Sequence, residues 1–490
     1  MMGHSEVGRR RFLSTTAMAA AGWAFAGSAE DTAVRKRPNI LFIMTDQQRA
    51  GMMGCAGDPW VKTPGLDRLA ASGIQFERAY ATNPVCMPSR LSLETGRMPS
   101  TVLMGTNEEV PVPAALCENG LGPLMRRAGY ETVYGGKVHV PRDLSQAMLS
   151  EGYRYLTSDR RQGLADACCA YLAEPHGKPF FLFVSLINPH DICYMPLNDN
   201  LAARDEPPID NEDSKVCEGV LDRARAEADL AAFVRDHCPP LPSNYAIPEA
   251  EPEAIDTYFI EGEIYGELRY RKYCREQWTE EDWRLYRWCY RRLMELADAK
   301  IAQILDALAA SGHAEDTLVI YTSDHGDMDA AHRLEHKSLL YEESARVPFM
   351  MSWKGVLPEG RVDDAHFVSN GLDLLPTLCD YAGADLPPGL PGRSVRPVAE
   401  GRPPADWPDH VVVECSNGRM VRTDRYKYTV YEDGANREIL VDLVQDPGEM
   451  VNLAAQSGMA EVLNRHRALL AAWVRHHGDS IAERYIIRPV

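Results

Sequence analysis

The sequence predicts an α/β fold: a large, mainly parallel sheet sandwiched by helices, followed by a smaller C-terminal sheet-plus-helix subdomain. Three observations carry this. Apolar runs of strand length recur at Asn39 to Thr45, Thr132 to Tyr134, Phe180 to Ile187 and Leu318 to Tyr321, each leading into charged or histidine-bearing residues. Helical patterns lie between them, at Leu66 to Ser72, Leu121 to Ala128 and Trp288 to Leu308. This alternation implies parallel strands covered on both faces. The third observation is a Pro/Gly-rich stretch, Pro387 to Gly392, that marks a boundary after Leu386.

From the amino terminus, Gly8 to Leu13 reads Gly-Arg-Arg-Arg-Phe-Leu and is followed by an alanine-rich apolar run to Ala29. That order predicts a twin-arginine signal peptide over residues 1–29, a translocase as partner, and an exported, periplasmic or extracellular protein. The run is shorter than the roughly 20 apolar residues a bilayer span needs, and no later run is longer, so no stable membrane span is expected. Net charge is −19 over 490 residues; removing residues 1–29 leaves 49 basic and 70 acidic residues, or −21. Such an acidic chain argues against nucleic acid as a partner and requires a locally positive pocket for any anionic substrate. Of the twelve cysteines, the adjacent Cys168 and Cys169 read as core residues instead of a bridge.

The catalytic unit is expected over 38–386. Within it, 197–290 reads as an insertion over the catalytic face, acidic and proline-bearing at first, then rich in arginine and aromatics. Most of its rings, among them Tyr265, Tyr270, Tyr273, Trp278, Trp283, Tyr286, Trp288 and Tyr290, are expected to pack helices onto the core, since aromatic side chains dominate core burial. Residues 387–490 form the subdomain, with strands at Val411 to Glu414 and Tyr426 to Tyr431 and an amphipathic helix from Ala460 to His476.

In such sheets ligands gather beyond the carboxyl ends of the strands, and the polar clusters fall there. Asp46 and Gln47 end the first run, Lys137 and His139 follow the second, His190 ends the third, and Asp324 and His325 follow the fourth. Asp46, Gln47 and Asp324 offer hard oxygens from two distant stretches, a set able to converge on one divalent cation. His190 is a candidate acid for a leaving group. The most informative stretch is Asn83 to Arg97, which places Cys86 at a helix entrance, Pro88 in the first turn, Arg90 one turn on, and a stop at Thr95-Gly96. Anions are favoured at such an entrance.

The motif Cys-x-Pro-Ser-Arg with a later Thr-Gly-Arg resembles the signature of type I sulfatases of the alkaline phosphatase superfamily. The resemblance runs from about Asn39 to Leu453. It implies that Cys86 is converted to formylglycine by a formylglycine-generating enzyme, and that the aldehyde hydrate attacks a sulfate monoester. It further implies a metal held by Asp46, Gln47, Asp324, His325 and an oxygen of modified Cys86. Gln47 and His325 stand where many members have Asp and Asn; the ion is read as Ca2+, with Mn2+ open. Arg90, Lys137 and Lys337 would neutralise sulfate oxygens, His139 would contact the hydrate, and His190 would protonate the departing alcohol. Cys86→Ala and Arg90→Ala are expected to abolish turnover and leave the fold intact. The substrate is read as a sulfated small molecule or carbohydrate. The alternatives are a phosphonate monoester or phosphodiester hydrolase with the same nucleophile, and a non-catalytic binder of sulfated glycans.

Overall fold

A computed structural model describes residues 37–261 and 269–489. The signal-peptide reading of residues 1–29, and Tyr265, lie outside the described residues.

The strands before the C-terminal region are β1 (Asn39–Asp46), β2 (Ile74–Phe76), β3 (Ala79–Tyr80), β4 (Glu131–Gly136), β5 (Arg154–Tyr155), β6 (Phe180–Pro189), β7 (Thr317–Ser323), β8 (Phe349–Ser352), β9 (Arg361–Asp363) and β10 (Val368–Ser369). Eight of them form one sheet in the order β5-β4-β6-β1-β7-β8-β2-β9, and β3 pairs with β10 apart from it. β8 runs antiparallel to both neighbours; the other pairs of the sheet are parallel. Side chains alternate across the sheet, so each strand feeds two cores. Ile40, Phe42 and Met44 of β1 join Phe181, Phe183 and Ile320 on one face, where the helix Cys86–Thr95 packs through Leu91 and Leu93. Leu41 and Ile43 join Leu182, Val184 and Tyr321 on the other, beneath the helix Glu280–Ala310.

That long helix corrects the sequence reading. A Thr279 and Asp282 capping box starts it at Glu280, eight residues ahead of the predicted Trp288, and residue 290 lies inside it. The predicted end of the insertion is therefore no structural break. Trp278, Trp283, Tyr286, Trp288 and Tyr290 are buried in its packing, as most rings of this stretch were expected to be.

Strands β11 (His410–Cys415), β12 (Gly418–Thr423), β13 (Tyr426–Tyr431) and β14 (Glu438–Asp442) form an antiparallel sheet in sequence order. The helix Ala460–His477 covers one face through Leu463, Leu470 and Val474. Val413 and Met420 on the other face share a core with Tyr80, Leu340 and Phe367, and the chain from Arg37 onward forms one compact unit.

Candidate active site

Four adjacent strands, β4, β6, β1 and β7, bring Lys137, His190, Asp46 and Asp324 to one edge of the sheet. Cys86 enters from above as the first residue of its helix. Val85 before it is extended, Asn107 Oδ1 accepts the Met87 N–H at 3.0 Å, and Gly96 ends the helix in the left-handed region at φ 64°. All ten residues of this helix are buried, so its entrance is held rigidly in the interior.

The Cys86 Sγ lies 3.1 Å from Lys337 Nζ, 3.2 Å from His325 Nε2 and 3.7 Å from Asp46 Oδ1. Burial and Asp46 push the thiol up, but Lys137, Lys337 and His325 outweigh them and hold it well below its ordinary range. The site therefore favours an anion where Cys86 stands, within an acidic chain.

The two carboxylates are oriented from behind. Arg90 donates from Nη2 to Asp46 Oδ2 at 2.9 Å and from Nε to Asp324 Oδ2 at 2.8 Å, while its Nη1 serves Lys137 O and Ser185 Oγ, both at 2.9 Å. Lys137 Nζ adds a bond to Asp46 Oδ2 at 2.7 Å. Each Oδ1 is thereby turned toward His325, whose Nε2 is 3.8 Å from that of Asp46 and 3.6 Å from that of Asp324. The Gly326 carbonyl accepts from His325 Nδ1 at 2.8 Å, which orients the ring with Nε2 toward the carboxylates, while, against the effect of burial, Asp324 and the Cys86 thiol raise its affinity for a proton that a bound cation would displace. Ligand atoms of Asp46, Cys86, Asp324 and His325 lie within 4.8 Å of one another, and all four residues are buried. Burial and the adjacent Asp46 push Asp324 up to about 6. Two crowded acids with an oriented imidazole fit a divalent cation, which relieves that repulsion.

Gln47 sits in the left-handed region at φ 69°, and its backbone N–H donates to Asp324 Oδ1 at 3.0 Å. Its side-chain oxygen accepts from Lys337 Nζ at 2.8 Å and from Cys193 Sγ at 3.1 Å. Lys137 follows Gly136, where φ is 95° and an added Cβ would stand 2.1 Å from Ser185 O. His139 interacts with the Cys86 thiol, and burial lowers its imidazole. His190 is also lowered, by burial first and then by Lys137 and Lys337, so it is neutral in this pocket.

The residues read from sequence therefore meet in one place, with one correction. Arg90 is spent on Asp46, Asp324 and the Lys137 carbonyl and is turned inward, away from the position expected of a clamp on substrate oxygens. Sequence reasoning gave no site role to Ser185, Cys193 or Tyr286, and Asp327, at the end of the Ser323 to Asp327 cluster, was left unassigned. Ser185 left a signal as a hydroxyl inside an apolar run, and Asp327 as a second acid beside Asp324. A second grouping, His190 with Asp191 and Asp213, is served by arginines instead: Arg161 donates to Asp191 at 2.6 Å and to Asp213 at 2.7 Å.

Fold and site together define a hydrolase of anionic esters. The family model described as Sulfatase matches residues 38–384, and one described as N-sulphoglucosamine sulphohydrolase, C-terminal, matches residues 330–475. The chain belongs to the sulfatase family and is a sulfuric ester hydrolase. It is 29% identical over 479 residues to a Delta 4,5-hexuronate-2-O-sulfatase of Bacteroides thetaiotaomicron, covering 94% of this chain and 92% of that protein. It is 28% identical over 472 residues to an ulvan-active sulfatase of Formosa agariphila, covering 91% and 83%. The solved structure of a 2-O GAG sulfatase superposes with a TM-score of 0.75 at 27% identity, covering 92% of this chain and 95% of that one.

Proposed function

We propose that the protein hydrolyses a sulfate monoester of a carbohydrate to alcohol and inorganic sulfate, using Cys86 after its conversion to formylglycine. The observation that carries this is the setting of Cys86: a helix entrance flanked by Lys337 at 3.1 Å and His325 at 3.2 Å, beside a pair of oriented carboxylates. The metal would be held by Asp46, Gln47, Asp324, His325 and an oxygen of modified Cys86, with Ca2+ first and Mn2+ second. When bound it supplies Lewis-acid charge to the reacting oxygens.

The chain's own groups do the rest. The hydrated aldehyde of residue 86 carries two hydroxyls. The oxygen of one forms a bond to sulfur as the bond from sulfur to the sugar oxygen breaks. The proton of the attacking hydroxyl passes to His139, and the departing oxygen takes a proton from His190, which picks one up from solvent once the negative sulfate ester offsets the two lysines. The second hydroxyl then gives its proton to His190, the carbonyl re-forms as the carbon–oxygen bond to sulfate breaks, and water re-forms the hydrate and takes the proton left on His139. His139 is placed to hold the hydroxyls. Lys137 and Lys337 neutralise sulfate oxygens in a buried setting, where such charges act strongly. Arg90 acts through Asp46 and Asp324 and is a positioning residue.

The sugar is read from two supports. The relatives above act, by their names, on a hexuronate and on ulvan. Next to Val85, Asn107, Glu108, Arg271, His336 and Lys337 line a cavity of about 220 Å³ that sets amide, carboxylate and cationic groups beside a larger apolar wall, a mixture a sugar ring can use. Export through a twin-arginine translocase completes the proposal; no helix among the described residues is long and apolar enough to cross a membrane.

The test compares release from a matched aryl sulfate, aryl phosphonate and sulfated hexuronate disaccharide. Sulfate release from the first and third, exceeding phosphonate cleavage, is expected. Dominant phosphonate turnover would overturn the reading.

A further inference from the structure

We infer that Asp327 is a positioning residue that locks the side-chain amide of Gln47, so that the amide oxygen faces Lys337 and the reacting centre. The inference rests on the sulfatase reading but concerns Asp327 and Tyr286, to which that reading gives no role.

The direction of every bond in this buried chain is determined. The Tyr286 hydroxyl accepts the His336 N–H at 3.3 Å, so its own proton goes to Asp327, whose Oδ1 and Oδ2 lie at 3.0 and 2.9 Å. Asp327 Oδ1 also accepts the Asp329 N–H at 2.8 Å, which leaves Oδ2 to accept from Gln47 Nε2 at 2.8 Å. At the other end of the amide, Oε1 meets two donors, the Lys337 ammonium and the Cys193 thiol. A flipped amide would set its NH2 against the ammonium and its oxygen against the carboxylate. Gln47, Asp327 and Tyr286 are fully buried, so no solvent compensates such a flip. Lys337 in turn reaches Cys86, and the chain Tyr286, Asp327, Gln47, Lys337, Cys86 links the long helix to the nucleophile position. Only the oxygen end of the amide serves a cation, whether an ammonium or a metal ion.

The test is a mutant cycle on the full chain. In Asp327→Asn the new NH2 faces Gln47 Nε2 and the amide turns over. This should lower kcat/KM and weaken Ca2+ binding, measured by calorimetry, each by about 10–100-fold. Gln47→Glu sets two carboxylates against each other and should lose comparable activity. In the double variant the new amide at position 327 donates to the new carboxylate at position 47, which still accepts from Lys337, and kcat/KM should return to within about fivefold of the parent. A purely structural role for Asp327 gives no such rescue. Near-parental Asp327→Asn, or additive losses in the double variant, would overturn the inference. Should Asp327→Asn alone not fold, Gln47→Glu against the double variant decides the matter by the same recovery. Failure of the parent enzyme to release sulfate from any ester would instead count against the sulfatase reading.

Discussion

Arg90 donates from Nη2 to Asp46 Oδ2 at 2.9 Å and, through Nε, ties that carboxylate to Asp324 at 2.8 Å. All three side chains are buried, so the pair of acids depends on this guanidinium for charge balance as well as orientation. Arg90→Ala should therefore cost about 3–5 kcal/mol of stability along with turnover, in contrast to the intact fold expected from sequence. Arg90→Lys keeps the charge but cannot fork; it should fold and lose about 10–100-fold in metal affinity. Denaturant unfolding and calorimetry check the two outcomes.

Glu94 gives a stability prediction with a defined sign. Burial raises its carboxyl to about 8, although the Tyr153 hydroxyl and the Gly122 amide favour the charged form. The folded state thus binds this proton more tightly than the unfolded chain does. Its contribution is complete below the unfolded value near 4.5 and is lost as pH rises through about 8, at on the order of 1 kcal/mol per pH unit. Asp373 and Glu414, both raised by burial to about 7, act in the same direction, so the readout is a difference. Glu94→Gln should match the parent in thermal midpoint near pH 5 and exceed it near pH 8.5.

Gly136 delivers Lys137 to the site. Its φ of 95° strains any side chain, and a Cβ would stand 2.1 Å from Ser185 O. Gly136→Ala should destabilise by about 1–3 kcal/mol and lower kcat/KM by displacing Lys137. Thermal unfolding and turnover of an aryl sulfate test this together.

The crowded Asp46, Asp324 and His325 predict stabilisation by a divalent ion. Ca2+ at about 100 times its dissociation constant should add about 2.7 kcal/mol, and a chelator should remove it along with activity. Asp324→Asn should abolish the Ca2+-dependent rise in melting temperature.

Much of this site was legible because buried strands leave a plain signal. The runs leading to Asp46, Lys137, His190 and Asp324 are mostly apolar, and the sheet lays those four ends side by side. Three-residue strands such as β2 and β9 carry no periodicity and stayed invisible. β12 was hidden by Arg419, which reads as an exposed residue but is buried on Asp479 at 2.6 Å. The inward turn of Arg90 was equally hidden, since charge and spacing are the same for a residue that clamps substrate and one that holds carboxylates. Asp327, Tyr286 and Cys193 come together only in three dimensions, and no local pattern marks an amide's orientation.

The central claim is that residue 86 acts as formylglycine. The most direct measurement is a mass spectrum of the tryptic peptide Ala79 to Arg90 from protein made in its native host. The account predicts the mass of formylglycine at position 86, its share of the peptide tracking specific sulfatase activity between preparations. An unmodified cysteine throughout a preparation that releases sulfate at full rate would contradict it.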